Sequence, residues 1–251
     1  MQLRRLWRSV LACCLGLWTA QTALGDLSEG IVAYWPLDSD ANDAVGSHDG
    51  QLVGGAQFVK DNERGNVLAV DGVDGRVEIP HHEMLAFGDQ DYSVATWVKF
   101  DSTPNGAWVG IVTKSRDASP WFGLWATPAN QWHFVTSGDG ANRVDAGVVS
   151  DGWHHMTGVH VSAASTSSLY EDGALLKENP NAVSGQTGTG DIWIGGAKSV
   201  TEFFNGWVDD TVIYDRALDP AEVTSLMTED LLAVDPNGKV ATTWAALRRF
   251  Q

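Results

Sequence analysis

The stretch Tyr92-Ser-Val-Ala-Thr-Trp-Val-Lys-Phe100 alternates over its whole length, placing Val94, Thr96, Val98 and Phe100 on one face. A period of two belongs to a strand, because successive side chains leave a pleated backbone on opposite sides. Similar runs lie on both sides of it. Before it come 31–37, 65–71 and 75–80, the last two around a Gly-rich turn. After it come 108–114, 121–126, 131–136, 153–161, 168–171, 191–195 and 206–214. The gaps are rich in Asp, Ser, Pro, Asn and Gly and recur at roughly ten-residue spacing, the pattern of an all-β sandwich or barrel. One helix is signalled over 219–227. Asp219 is placed to cap it, Pro220 suits its first turn, and Glu222 completes a capping box ahead of Val223, Leu226 and Met227. Leu231-Leu-Ala-Val234 and Lys239-Val-Ala-Thr-Thr243 flank Asp235-Pro-Asn-Gly238, which reads as a small hairpin.

The chain has 251 residues, 32 acidic against 16 basic side chains, and 27 glycines. That is the composition of a folded globular chain. The acid excess excludes DNA, RNA and anionic membranes as expected partners, since phosphate needs basic contacts. The first 25 residues read as a secretory signal peptide. Arg4, Arg5 and Arg8 precede an apolar stretch from Val10 to Ala20, and Ala23-Leu-Gly25 offers small residues for cleavage before Asp26. A second reading takes Val10-Leu-Ala-Cys13 as a loose lipoprotein cleavage box, which leaves the apolar residues after Cys13 unexplained. The apolar run is too short to span a membrane. Cleavage before Asp26 leaves 226 residues and, by removing three arginines, takes the formal charge from −16 to −19. It also removes both cysteines, Cys13 and Cys14, so no disulfide is expected. The expected location is extracellular or periplasmic. The expected domains are 1–25 signal, 26–228 sandwich and 229–251 C-terminal extension.

Five blocks give the chain a resemblance to the laminin-G-like, concanavalin A-like jelly-roll domains, of which pentraxins are a related branch. They are Ala33-Tyr-Trp-Pro-Leu-Asp38, Asn42-Asp-Ala-Val-Gly-Ser-His-Asp-Gly50, Val70-Asp-Gly-Val-Asp-Gly-Arg-Val-Glu-Ile79, Trp153-His-His-Met156 leading to Leu169-Tyr-Glu-Asp-Gly173, and Gly206-Trp-Val-Asp-Asp-Thr-Val-Ile-Tyr-Asp-Arg-Ala-Leu218. Thr157 stands where pentraxins usually have a cysteine. The resemblance implies a two-sheet antiparallel jelly-roll sandwich whose first strand lies beside its last. Such an architecture hosts lectins, adhesion modules, glycosidases and spacers, so it does not name a function.

The acidic loop Asp38-Ser-Asp-Ala-Asn-Asp43 carries oxygen ligands at near-alternate spacing, as calcium requires, although it lacks an EF-hand's closing glutamate. Asp209-Asp210 adds a carboxylate pair on a strand, where alternation sends one to each face. The resemblance places this pair beside the opening loop. It thereby implies a structural calcium held by Asp43 and Asp209, with Asp38 or Asp210 and carbonyls of the Gly46–Gly50 loop. His154, His155 and His160 share one strand but split between its faces, which speaks against zinc among them. No Glu is followed by Asp two places on, so the glucanase pattern Glu-x-Asp-x-x-Glu is absent, as is a Gly-x-Ser-x-Gly elbow. The reading is therefore non-catalytic. Ten tryptophans follow the signal segment. Trp97, Trp193 and Trp207 are expected in the core. Of Trp108, Trp121, Trp125 and Trp132, Trp121 is the candidate to stack on a sugar ring. The expected function is recognition of extracellular carbohydrate. The alternatives are a surface-protein adhesion module and a glycosidase of unrecognised type.

Overall fold

The structure, a computed structural model, describes residues 26–104, 106–114, 121–138, 140–182, 188–198, 202–228 and 231. In chain order its strands are β1 (Ile31–Trp35), β2 (Gln51–Val53), β3 (Gln57–Asp61), β4 (Gly65–Asp71), β5 (Arg76–Ile79), β6 (Tyr92–Phe100), β7 (Val109–Lys114), β8 (Phe122–Ala126), β9 (Trp132–Val135), β10 (Arg143–Ala146), β11 (His154–Val161), β12 (Thr166–Glu171), β13 (Ala174–Asn179), β14 (Ile192–Ile194) and β15 (Asn205–Tyr214), followed by the helix α1 (Pro220–Ser225). The larger sheet runs β13-β12-β11-β6-β15-β4-β3, with β1 also paired to β15, and the smaller runs β10-β9-β8-β7-β14-β5-β2. Every pairing is antiparallel. This is the expected jelly-roll sandwich.

Alternation builds the core. Tyr92, Val94, Val98 and Phe100 of β6 enter it with Leu68, Val208 and Ile213 from the same sheet. They meet Val77, Ile79, Ile111, Phe122, Leu124 and Phe134 from the smaller sheet. The other face of the larger sheet is covered as well. Leu27, Leu218, Val223 and Leu226 pack there on Tyr34, Ala95, Val159, Tyr170, Val212 and Tyr214. The helix that supplies part of this cover is shorter than expected but capped as expected. Asp219 accepts from the Ala221 and Glu222 amides, and Glu222 accepts from the Asp219 amide at 2.8 Å.

β1 pairs with β15 as anticipated, Ile31 facing Tyr214 and Trp35 facing Thr211. β4 pairs with an earlier part of the same strand, Leu68 facing Val208. A bulge lies between, with Asp210 at φ 45°. It corrects the simple alternation: Val208 and Ile213, five residues apart, both face the core. Without an inserted residue they would point to opposite sides.

Four strands were not anticipated: β2, β3, β10 and β13. They are short or lie at sheet edges, and β10 and β13 carry Arg143, Asp145, Lys177 and Glu178, which mask alternation. Two tryptophan assignments also change. Trp35 and Trp132 are the fully buried core tryptophans, whereas Trp97 and Trp207 are only partly buried. The signal segment and the hairpin beyond Leu231 lie outside the described residues. Among those residues no helix is long and apolar enough to cross a membrane.

The sheets approach closely at Gly158 of β11. A Cβ built there falls 2.4 Å from the ring of Phe134, which is fully buried. Gly158→Ala is therefore expected to destabilise the chain by about 1–3 kcal/mol through overpacking. The midpoint of urea unfolding reads this out.

Candidate functional site

The smaller sheet presents aromatic residues outward as well as inward. In β8, Phe122, Leu124 and Ala126 enter the core, so Gly123 and Trp125 face out. In β9, Trp132 and Phe134 enter the core and His133 and Val135 face out. In β10, Val144 and Ala146 point in, leaving Arg143 and Asp145 outside. Trp125, Val135 and Ala197 form a small apolar cluster on this outer face, with Trp121 packed against it. A pocket of about 160 Å³ opens here, lined by Trp108, Trp121, Trp125, His133, Arg143 and Glu202 among others.

The pocket's geometry follows from local pairs. Trp121 and Trp125 stand 5.5 Å apart at 60°, and Trp108 meets His133 edge-on at 5.1 Å. Gly123 leaves room for the Trp125 indole, since a Cβ there would lie 3.1 Å from its Nε1. His133 Nδ1 sits 2.5 Å from Asp145 Oδ1, and Arg143 Nε 3.4 Å from Asp145 Oδ2. The His133 hydrogen bond, against the opposing effect of burial, holds the Asp145 carboxyl below its ordinary range. The mouth thus offers flat indole faces, a guanidinium and carboxylates. Such a set suits a polyhydroxylated ring, which has apolar C–H faces and hydroxyls that both donate and accept.

Trp121 was singled out from sequence, and the structure brings it to this pocket. Trp108 and Trp125, weighed beside Trp121 as candidates, line the same pocket, whereas His133, Arg143 and Glu202 were not found as site residues, because they converge from separate strands and loops. One signal was available: Trp125 falls out of phase with Phe122 and Leu124 in a strand whose core face is already filled. Trp132 leaves the candidate list, since its ring is in the core.

The proposed calcium ligands have other partners. Asp43 is buried, with Oδ1 accepting from the Tyr34 and Val45 amides and Oδ2 from the His48 amide and ring. Those donors outweigh burial and hold its carboxyl below the ordinary range. Asp209 and Asp210 do not split between faces. The bulge turns both toward Arg64, whose Nε meets Asp209 at 2.8 Å and whose second amino group meets Asp210 at 2.6 Å. Tyr34 also donates its hydroxyl to Asp210. Burial, and then repulsion from Asp210, pushes the Asp209 carboxyl up from its ordinary range while Arg64 pulls it back, with Asp38 adding a smaller repulsion. As placed, Asp38, Asp43, Asp209 and Asp210 do not converge on one ion. Among the described residues the group with three convergent ligand atoms is His154, Glu171 and Asp172.

A laminin G family model, described as the concanavalin A-like lectin/glucanases superfamily, matches residues 71–224. No curated protein matches the chain. Among solved structures, the binding domain of Paraclostridial Mosquitocidal Protein 1 is similar at TM-score 0.66 and 17% identity, over 80% of this chain and 52% of that one. Domain 4 of AbnA, an extracellular GH43 arabinanase from Geobacillus stearothermophilus solved with arabinotriose, gives 0.60 and 19%, over 78% and 97%. Trypanosoma rangeli sialidase in complex with sialic acid gives 0.63 and 19%, over 82% of this chain but 34% of the enzyme. At these identities the likeness is one of fold.

The Arg64 contacts carry an expected outcome of their own. Removing one partner of a buried ion pair typically costs about 3–5 kcal/mol, because the remaining charge is stranded. Arg64→Ala is expected to lose stability on that scale in urea unfolding, well beyond the effect of a surface arginine.

Proposed function

The chain belongs to the concanavalin A-like lectin/glucanase superfamily, and from that premise we propose that it is an exported, non-catalytic module that binds carbohydrate in the tryptophan-lined pocket. The observation that carries this reading is the placement of Trp121 and Trp125 on the outer face of the smaller sheet beside Trp108, Arg143 and Glu202. A sugar ring would stack on the exposed part of Trp121, with Arg143 donating to hydroxyls and Glu202 accepting from them. The arabinotriose held by the arabinanase domain supports a sugar as ligand for this fold. Export rests on the sequence pattern of residues 1–25.

A glycan array with the purified chain tests the reading. Binding is expected to weaken roughly 30-fold in Trp121→Ala, the effect of losing an anchor worth about 2 kcal/mol. Arg143→Ala, an exposed change that spares the fold, is expected to weaken it too. An array without binding favours the adhesion module. Cleavage of arrayed glycans or chromogenic glycosides favours a glycosidase.

Calcium enters as a separate proposal. Charge supports it: Asp209 and Asp210 share one guanidinium, that of Arg64, and Asp38 is near enough to add repulsion on Asp209. An ion binding only the folded state would raise stability by about 2.7 kcal/mol at one hundred times its dissociation constant. Melting curves in calcium and in EDTA decide it. A calcium-dependent rise abolished by Asp209→Ala supports the ion, and equal melting temperatures in both buffers remove it.

A further inference from the structure

We propose that His154, Glu171 and Asp172 form a zinc site on the larger sheet, separate from the tryptophan pocket. His154 opens β11, Glu171 closes β12, and Asp172 begins the tight turn into β13 at φ 50°. The β11–β12 and β12–β13 pairings bring the three to one end of the sheet.

His154 Nδ1 lies 3.2 Å from Glu171 Oε1 and 3.1 Å from Asp172 Oδ2. A tetrahedral zinc with bonds of about 2.0–2.2 Å separates its ligand atoms by about 3.3–3.5 Å, and the three ligand atoms already lie within 4.8 Å of one another, within reach of side-chain adjustment. The donor set is one imidazole nitrogen and two carboxylate oxygens. That composition suits zinc, whereas calcium takes six to eight oxygens. Ligand side chains exposed by 14%, 18% and 49% leave the fourth position open to water.

Each ligand also has the outer partner that metal ligands usually need. Ser150 Oγ holds His154 Nε2 at 3.0 Å, which fixes the ring and presents Nδ1. The Trp132 indole donates to Glu171 Oε1 at 2.7 Å. The His155 amide donates to Asp172 Oδ1 at 2.8 Å, leaving Oδ2 for the metal. Charge points the same way. Among the described residues no lysine or arginine ion-pairs with Glu171 or Asp172, and the one ring nitrogen facing both has at most one proton to give. A divalent ion would neutralise both carboxylates and clamp the β12–β13 turn to the start of β11.

The test is isothermal titration of zinc chloride into the untagged chain after chelator treatment, with thermal melts alongside. One ion per chain and a raised melting temperature are expected. Glu171→Gln should weaken binding at least about tenfold, and His154→Ala should abolish the one-ion isotherm. Ser150→Ala touches an exposed outer partner and should weaken binding about tenfold while the metal-free melt stays unchanged, which keeps the test intact if His154→Ala does not fold. No binding to the wild-type chain overturns the site. So does zinc binding that is undiminished in Glu171→Gln and Ser150→Ala, or displaced by an equal concentration of calcium.

Discussion

At the point where β15 exchanges one neighbour for another, the larger sheet depends on the guanidinium of Arg64. The first half of β15 is held by β4 and the second by β1, and neither reaches across the bulge at Asp210. The bulge leaves two carboxylates on one side of the strand, and Asp209 is nearly inaccessible to water. Such a pair repels itself and resists ionising unless a cation is held close. Arg64, in the turn before β4, supplies that cation, and its plane lies 4.1 Å over the Trp97 ring. One side chain thus joins β4, β6 and β15.

The two faces of the sandwich are used differently. The larger sheet's outer face is spent on structure: ion pairs and stacked cations at one end, apolar cover from the N-terminal segment and α1 at the other. Among the described residues the smaller sheet carries no comparable cover over β8 and β9. Its outward indoles form only a small cluster, and the hollow beside them is the pocket. The pocket's three tryptophans, Trp108, Trp121 and Trp125, lie close together in the sequence.

Strands with one clean apolar face were legible in the sequence. The reading of β4 and β6 coincides with the structure at both ends, because nothing in 65–71 or 92–100 competes with the period of two. Edge strands were not legible, since charges on β10 and β13 dilute the signal. The bulge was hidden for a different reason. Alternation assumes one residue per step, and only three-dimensional pairing reveals that Asp209 and Asp210 share a partner. Half of the pocket was legible in the same sense. Trp121 could be chosen from its setting, but Arg143 and Glu202 meet it only after β8, β9 and β10 have aligned.

Ile31 facing Tyr214 also governs when the molecule can form. The strand at the centre of the larger sheet is the last in chain order among the described residues, and it must insert between β6 on one side and β1 and β4 on the other. Until it arrives, those three strands have unpaired edges, the condition in which sheets recruit foreign strands. Contacts so distant along the chain close a large loop before they return any stability, and this slows folding. The nascent chain therefore waits on β15, and the described residues include no cysteine that could lock an earlier pairing in place.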